Sequence, residues 1–240
     1  MPRSTRVLFL LLLLPALCCA PKPAAKSPQM ARRELVEAIE LETVAMVHWM
    51  DDQTGALVPP GTERSTMRAY CTGVWLTDRD FVTAAHCPEG ELHLDVQTRG
   101  DVATDTWRAA ELVRLRALQD LAIVRVNGTP PPHPVAHFST AAVAPGDLLH
   151  VVGHVIGQRW TYCQAVVSAI RLQEPDADGD PVDTLQVAGP IWSGDSGAGG
   201  FDEEGGLVGI VSYVRQGAPF LAYLIDGRVV HEFVGNPGSR

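Results

Sequence analysis

The chain has 240 residues, is 46% hydrophobic, and carries 19 Lys and Arg against 28 Asp and Glu, a formal net charge of −9. That length buries one substantial core, and all-β folds of this size are often a single domain. The acidic balance excludes the electrostatic footprint of a nucleic-acid or anionic-membrane binder.

Arg3 and Arg6 precede an apolar run over Val7–Leu14, and Cys18, Cys19 and Ala20 follow as small residues. This is the pattern of an export signal over residues 1–20, with a run too short to span a bilayer. Export to a secreted, periplasmic or otherwise extracytoplasmic location is expected. Leu17-Cys18-Cys19 loosely resembles a lipoprotein signal, which leaves a lipid-anchored envelope form as the alternative. Removing residues 1–20 leaves 17 basic against 28 acidic side chains.

Residues 21–42 form an N-terminal arm or pro-segment. Pro21 to Lys26 reads as a tether, and Leu35, Val36, Ile39 and Leu41 give Arg32–Leu41 the spacing of a short amphipathic helix. From Thr43 the pattern changes to short β-branched or alternating runs between turn residues. Strands are expected at Val44–Trp49, Cys71–Leu76, Phe81–Ala84, Glu91–Gln97, Trp107–Leu115, Leu121–Val126, Leu148–Val152, Thr161–Ile170, Thr184–Val187, Gly206–Tyr213 and Phe220–Ile225. Many short strands argue for an all-β barrel or sandwich. Pro130–Pro145 cannot join a sheet interior and reads as a linker. Asp226–Val234 has room for a short C-terminal helix.

Three stretches carry chemistry. Gly194-Asp195-Ser196-Gly197 offers a serine on a tight turn, although these residue types also make ordinary turns. Thr83-Ala84-Ala85-His86-Cys87 follows an apolar run and supplies an imidazole. Gln119-Asp120 opens the apolar run Leu121–Val124 and supplies a carboxylate, which Asp95, Asp101 and Asp105 do not do in the same way. The order His, Asp, Ser, with these flanks, resembles the chymotrypsin/trypsin-like serine peptidase family over residues 43–240.

The resemblance implies two six-stranded antiparallel β-barrels with a cleft between them, and a secreted serine endopeptidase acting on polypeptide. Ser196 would be the nucleophile, His86 the general base and Asp120 its orienting carboxylate. The Gly194 and Ser196 amides would form the oxyanion hole. Each residue has an ordinary alternative, His86 as a structural histidine and Asp120 as a turn acceptor. Two functional alternatives also stand: an inactive peptidase-fold binding protein, and an esterase using the same triad. A monomer is expected, with no cofactor.

Within this resemblance Ser212, Tyr213 and Val214 would line the substrate strand and one pocket wall, although Tyr213 could equally be a packed strand aromatic. Pro190 stands six positions before Ser196, where an acid would mark preference for Arg or Lys, so basic side chains are not expected before the scissile bond. Val214 would narrow the pocket mouth and favour small or medium apolar side chains. No Ile-Val-Gly-Gly-like stretch precedes Val44–Trp49, so activation by an inserted N-terminus beside Asp195 cannot be assumed.

Cys71 and Cys87 flank the His86 strand and are expected to be bridged, leaving Cys163 as a free buried thiol. Asn127-Gly128-Thr129 is a glycosylation sequon that reads more economically as a hairpin turn. No metal site is expected. His133 and His137 are separated by Pro134, and in Asp176-Ala177-Asp178-Gly179-Asp180 the following Pro181 and the missing twelfth-place Glu argue against a calcium loop.

Overall fold

The computed structural model describes residues 28–51, 53–54, 65–88, 94–175, 181–215 and 217–235. The export signal, the Asp176–Asp180 turn and the expected strand start at Glu91 lie outside these residues.

Two closed antiparallel barrels follow one another along the chain. The first holds β1 (Thr43–Asp51), β2 (Ser65–Trp75), β3 (Asp80–Thr83), β4 (Leu94–Thr98), β5 (Arg108–Arg116) and β6 (Leu121–Val126), in the spatial order β1-β2-β3-β6-β5-β4. The second holds β7 (Leu148–Gly153), β8 (Thr161–Pro175), β9 (Pro181–Ala188), β10 (Gly199–Phe201), β11 (Leu207–Val214) and β12 (Leu221–Asp226), in the order β10-β11-β12-β9-β8-β7. Read from β7, the second order repeats the first, so one Greek-key barrel topology is used twice without a visible sequence repeat. This is the chymotrypsin-like architecture.

Its strands are legible as continuous apolar runs because many are buried on both faces. In β6, Val124 and Val126 face the first barrel's core with Trp75 and Phe81, whereas Leu121 and Ile123 join a second cluster with Phe201, Leu207, Ile210 and Ile225. The period-2 pleat thus feeds a barrel core on one side and the barrel-to-barrel interface on the other. A third cluster, including Leu149, Val151, Leu185, Val187 and Leu224, fills the second barrel.

Helices close the ends. α1 (Pro28–Glu42) is longer than the sequence pattern suggested and presses Leu35 and Ile39 into the interface cluster, where Ile39 is 1% exposed. The Trp160 indole donates to the Glu40 carbonyl at 3.2 Å and fixes the helix end. α2 (Gly227–Gly235) begins where Asp226 accepts from the Arg228 amide at 2.8 Å, the geometry of an N-cap. Val230 and Phe233, three apart, bury its inner face, and the Arg114 guanidinium lies 4.5 Å from the Phe233 ring centre.

Two expectations change. The strand β10 was not foreseen, because Gly199-Gly200 reads as a turn. Asn127-Gly128-Thr129 does not close a hairpin: it bends the chain out of β6 into the Pro130–Pro145 linker, with the Asn127 amide bonded to Ala109 of β5.

Candidate active site

His86 sits just after β3, in the turn that also carries Cys87. The Cys71–Cys87 disulfide ties that turn to β2. Asp120 stands one residue before β6 at φ +50°, a left-handed conformation that short polar residues tolerate. That turn brings its carboxylate to the histidine. His86 Nδ1 lies 2.9 Å from Asp120 Oδ1 and 3.0 Å from Oδ2, and the His86 backbone amide donates to Oδ1 at 3.0 Å. An ionised carboxylate only accepts, so Nδ1 carries the proton and Nε2 is the basic nitrogen. The imidazole side chain is 49% exposed, while the Asp120 side chain is 17% exposed.

Burial pushes the Asp120 carboxyl up. The hydrogen bonds and charge of His86, with a further bond from Ser212, outweigh it and hold the group below the usual carboxylate range. Ser212 Oγ donates to Asp120 Oδ2, and the Ser212 carbonyl accepts from Ser196 Oγ at 3.4 Å. Ser212 can serve both because the β11–β12 register shifts between Val211 and Tyr213, lifting Ser212 out of the ladder. The structure thereby gathers Asp120, His86, Ser212 and Ser196 from four separate stretches.

Ser196 rides on a turn whose neighbours are forced to be glycine. Gly194 has φ +101° and Gly197 φ +85°, and a Cβ at 194 would overlap the His154 carbonyl oxygen, one at 197 the Thr72 carbonyl oxygen. The Thr72 amide of the first barrel donates to the Ser196 carbonyl at 2.7 Å. Among the described residues the Gly194 and Ser196 amides donate to no protein acceptor, whereas the Asp195 amide bonds to Trp192 O at 3.0 Å and the Gly197 amide to Val211 O at 2.7 Å. Two amide donors of the Ser196 turn, at Gly194 and Ser196, are therefore left without a protein acceptor among the described residues.

Asp195 is buried at 1% exposure, and burial pushes its carboxyl up to about 6. Oδ2 accepts from the Trp192 amide at 3.0 Å, and no cationic side chain pairs with it among the described residues.

Of the residues expected to meet substrate, Ser212 is buried, Tyr213 and Val214 are half-buried, and Pro190 is exposed. Tyr213 stacks on Tyr223 with ring centres 4.6 Å apart, so its side chain is a packed strand aromatic. The Gly189 amide donates to Phe220 O at 3.0 Å and ties the Pro190 segment to the chain just before β12. Trp192, 41% exposed and four residues from Ser196, was not anticipated. A cavity of about 790 Å³ lies elsewhere, between the Phe138–Val143 linker and the start of α2, and shares no lining residue with this site. Cys71, His86 and Cys87 cluster closely, but both sulfurs are consumed in the disulfide and offer no thiolate to a metal. Cys163 is free, as expected, but half-buried rather than fully buried, and burial pushes its thiol up to about 12.

A family model described as the trypsin-like peptidase domain matches residues 71–210. No curated protein matches the chain in sequence. Among solved structures, the chain is similar to the active form of the Rv3671c protease from M. tuberculosis, at 20% identity and TM-score 0.71, covering 90% of this chain and 89% of that one. It is similar also to an inactive form of Rv3671c protease, at 22% identity and TM-score 0.68, covering 90% and 98% of the two chains. With a family model matching more than half of its length, the chain belongs to the trypsin-like peptidase family.

Proposed function

We propose that the protein is an exported serine endopeptidase in which Ser196, His86 and Asp120 carry acyl transfer. The observation that carries this reading is the His86–Asp120 pair, joined through Ser212 to a serine on a turn whose Gly194 and Ser196 amides have no protein acceptor among the described residues. The Ser196 hydroxyl turns from the Ser212 carbonyl to His86 Nε2, gives up its proton there, and Oγ attacks the substrate carbonyl carbon. The Gly194 and Ser196 amides receive the resulting oxyanion, each donor contributing about 3–4 kcal/mol of transition-state stabilisation. Imidazolium then returns the proton to the leaving amine as the C–N bond breaks. Water repeats the sequence on the acyl-enzyme, releasing the acid and restoring Ser196.

Asp120 keeps the proton on Nδ1 and stabilises the imidazolium without itself being protonated. Ser212, Tyr213 and Val214 pair with the substrate backbone, and Val214 and Pro190 favour small or medium apolar side chains before the scissile bond. Residues 1–20 direct export, and residues 43–240 are the peptidase domain. No helix among the described residues is long and apolar enough to cross a membrane, and the Cys71–Cys87 disulfide fits an oxidising compartment.

A fluorophosphonate probe tests this directly. Ser196 should be labelled in the wild type and unlabelled in Ser196→Ala, and peptide hydrolysis should fall with the label. Labelling without peptide hydrolysis would identify an esterase; a folded protein that takes no label would be a binding protein. A peptide-library cleavage profile dominated by Arg and Lys would overturn the specificity.

A further inference from the structure

The turn that presents Ser196 is gripped from both barrels. Ile156 N donates to the Ser193 carbonyl at 2.8 Å, and Thr72 Oγ1 donates to the Gly194 carbonyl at 2.8 Å. These two carbonyls belong to the peptides on either side of Gly194. In a trans peptide the C=O and N–H point in opposite directions, so holding the Ser193 carbonyl on Ile156 aims the Gly194 N–H away from Ile156. Holding the next carbonyl on Thr72 fixes the second plane. Glycine at 194, free to take a range of backbone angles, is left with only one.

Both grips are themselves braced. Thr72 has a single hydroxyl hydrogen, which goes to Gly194, so the 2.8 Å contact between Thr72 Oγ1 and His154 Nδ1 must be donated by the imidazole. His154 is fully buried, its ring at right angles to Trp160 with centres 5.0 Å apart. Burial pushes the group down to about 3, so it is neutral with its proton on Nδ1. On the other side, Ile156 holds φ +47°, a conformation costly for a β-branched residue, and it does so with an exposed side chain that gains nothing from packing. What that backbone gains is an amide aimed at Ser193.

We infer that Thr72, oriented by His154, and the Val155–Gly157 turn clamp the peptides on both sides of Gly194 and so hold the oxyanion donor in its working direction without an inserted N-terminus. Thr72 and His154 are positioning residues. This rests on the acyl-transfer reading of Ser196 and adds to it the device that keeps the site formed.

The test compares Thr72→Val, which keeps the shape and removes the hydroxyl, with Thr72→Ser, which keeps the hydroxyl. For hydrolysis of a peptide substrate, Thr72→Val should lower kcat by about 10- to 100-fold with KM little changed. Affinity for a peptide aldehyde should fall in parallel, and Thr72→Ser should recover most of both. Unchanged kcat in Thr72→Val, or equal losses in the two variants, would overturn the clamp. Should Thr72→Val not fold, Thr72→Ala is read by the same split. If the wild type neither turns over peptide nor takes a fluorophosphonate, the acyl-transfer reading fails separately. A crystal structure of the Thr72 variant then decides the clamp: a turned Ser193–Gly194 peptide supports it and an unmoved one removes it.

Discussion

Ser212 donates its hydroxyl hydrogen to the Asp120 carboxylate across 92 residues of sequence and from the second barrel to the first. Because the Ser212 carbonyl also takes the Ser196 hydroxyl, one residue sets the distance between the two halves of the site. Ser212→Ala removes one of the bonds that hold Asp120 ionised. A carboxyl whose folded value lies below its unfolded one contributes stability above the unfolded value and loses it as pH falls through the folded value. In the variant Asp120 should therefore contribute less stability at neutral pH, and the part lost on acidification should be smaller and end at a higher pH, while kcat should drop about tenfold. Asp120→Asn should lose on the order of 10⁴ in kcat, since an amide can leave the imidazole in the wrong tautomer. Steady-state kinetics with urea titrations from pH 3 to 7 check all three; an unmoved acid limb in Ser212→Ala would show that the bond does not tune Asp120.

The Cys71–Cys87 bridge closes a loop of 16 residues around His86. Replacing both with serine should cost about 3 kcal/mol in the chain-entropy account. Activity should fall further than stability alone explains, because the disulfide also holds the turn that carries the imidazole. Urea unfolding and kcat measured together separate the two effects. A double variant that is destabilised but fully active when folded would show that β3 and Asp120 suffice to place His86.

Gly197 cannot carry a side chain. At φ +85° its Cβ would enter the space of the Thr72 carbonyl and the Thr83 hydroxyl, which are bonded to each other at 2.7 Å. Gly197→Ala should cost more than about 3 kcal/mol, by combining backbone strain with displacement of a buried hydrogen bond. Its thermal midpoint should fall well below that of Gly217→Ala, a control with a similar φ of +81° and open space around its Cβ. Equal losses in the two would mean that conformation alone matters.

The parts of the site written in short contiguous stretches were legible: Gly194 to Gly197, His86 after its apolar run, and Asp120 before Leu121. The strands were legible for a related reason, since double-sided burial makes them uninterrupted apolar runs. β10 was hidden because Gly199 and Gly200 have the composition of a loop; there the partner strand Leu207–Val214, and not local preference, makes the strand. Thr72 and His154 were hidden more deeply. A threonine beside a cysteine and a lone histidine after Gly153 carry no local signal, and their meaning lies in contacts spanning 82 and 122 residues. The same holds for Trp192, whose backbone amide is tied to the buried Asp195 carboxylate.

Glu42, at the end of α1, is 8% exposed, and its Oε2 has no hydrogen-bond partner among the described residues. Burial pushes its carboxyl up to about 7. Below the unfolded value the group is protonated in both states and costs nothing. As pH rises from about 4.5 to about 7, the unfolded chain releases the proton while the folded chain keeps it, so stability falls by at most about 1.4 kcal/mol per pH unit and then stays level. Asp195, pushed up to about 6, adds a loss of the same sign that ends earlier. Glu42→Gln replaces the carboxyl with a neutral group of the same shape and should cancel the Glu42 part. The variant and wild type should have similar thermal midpoints at pH 4, and the variant should be the more stable at pH 8. If the two midpoints run parallel across that range, Glu42 is not held as a buried neutral acid.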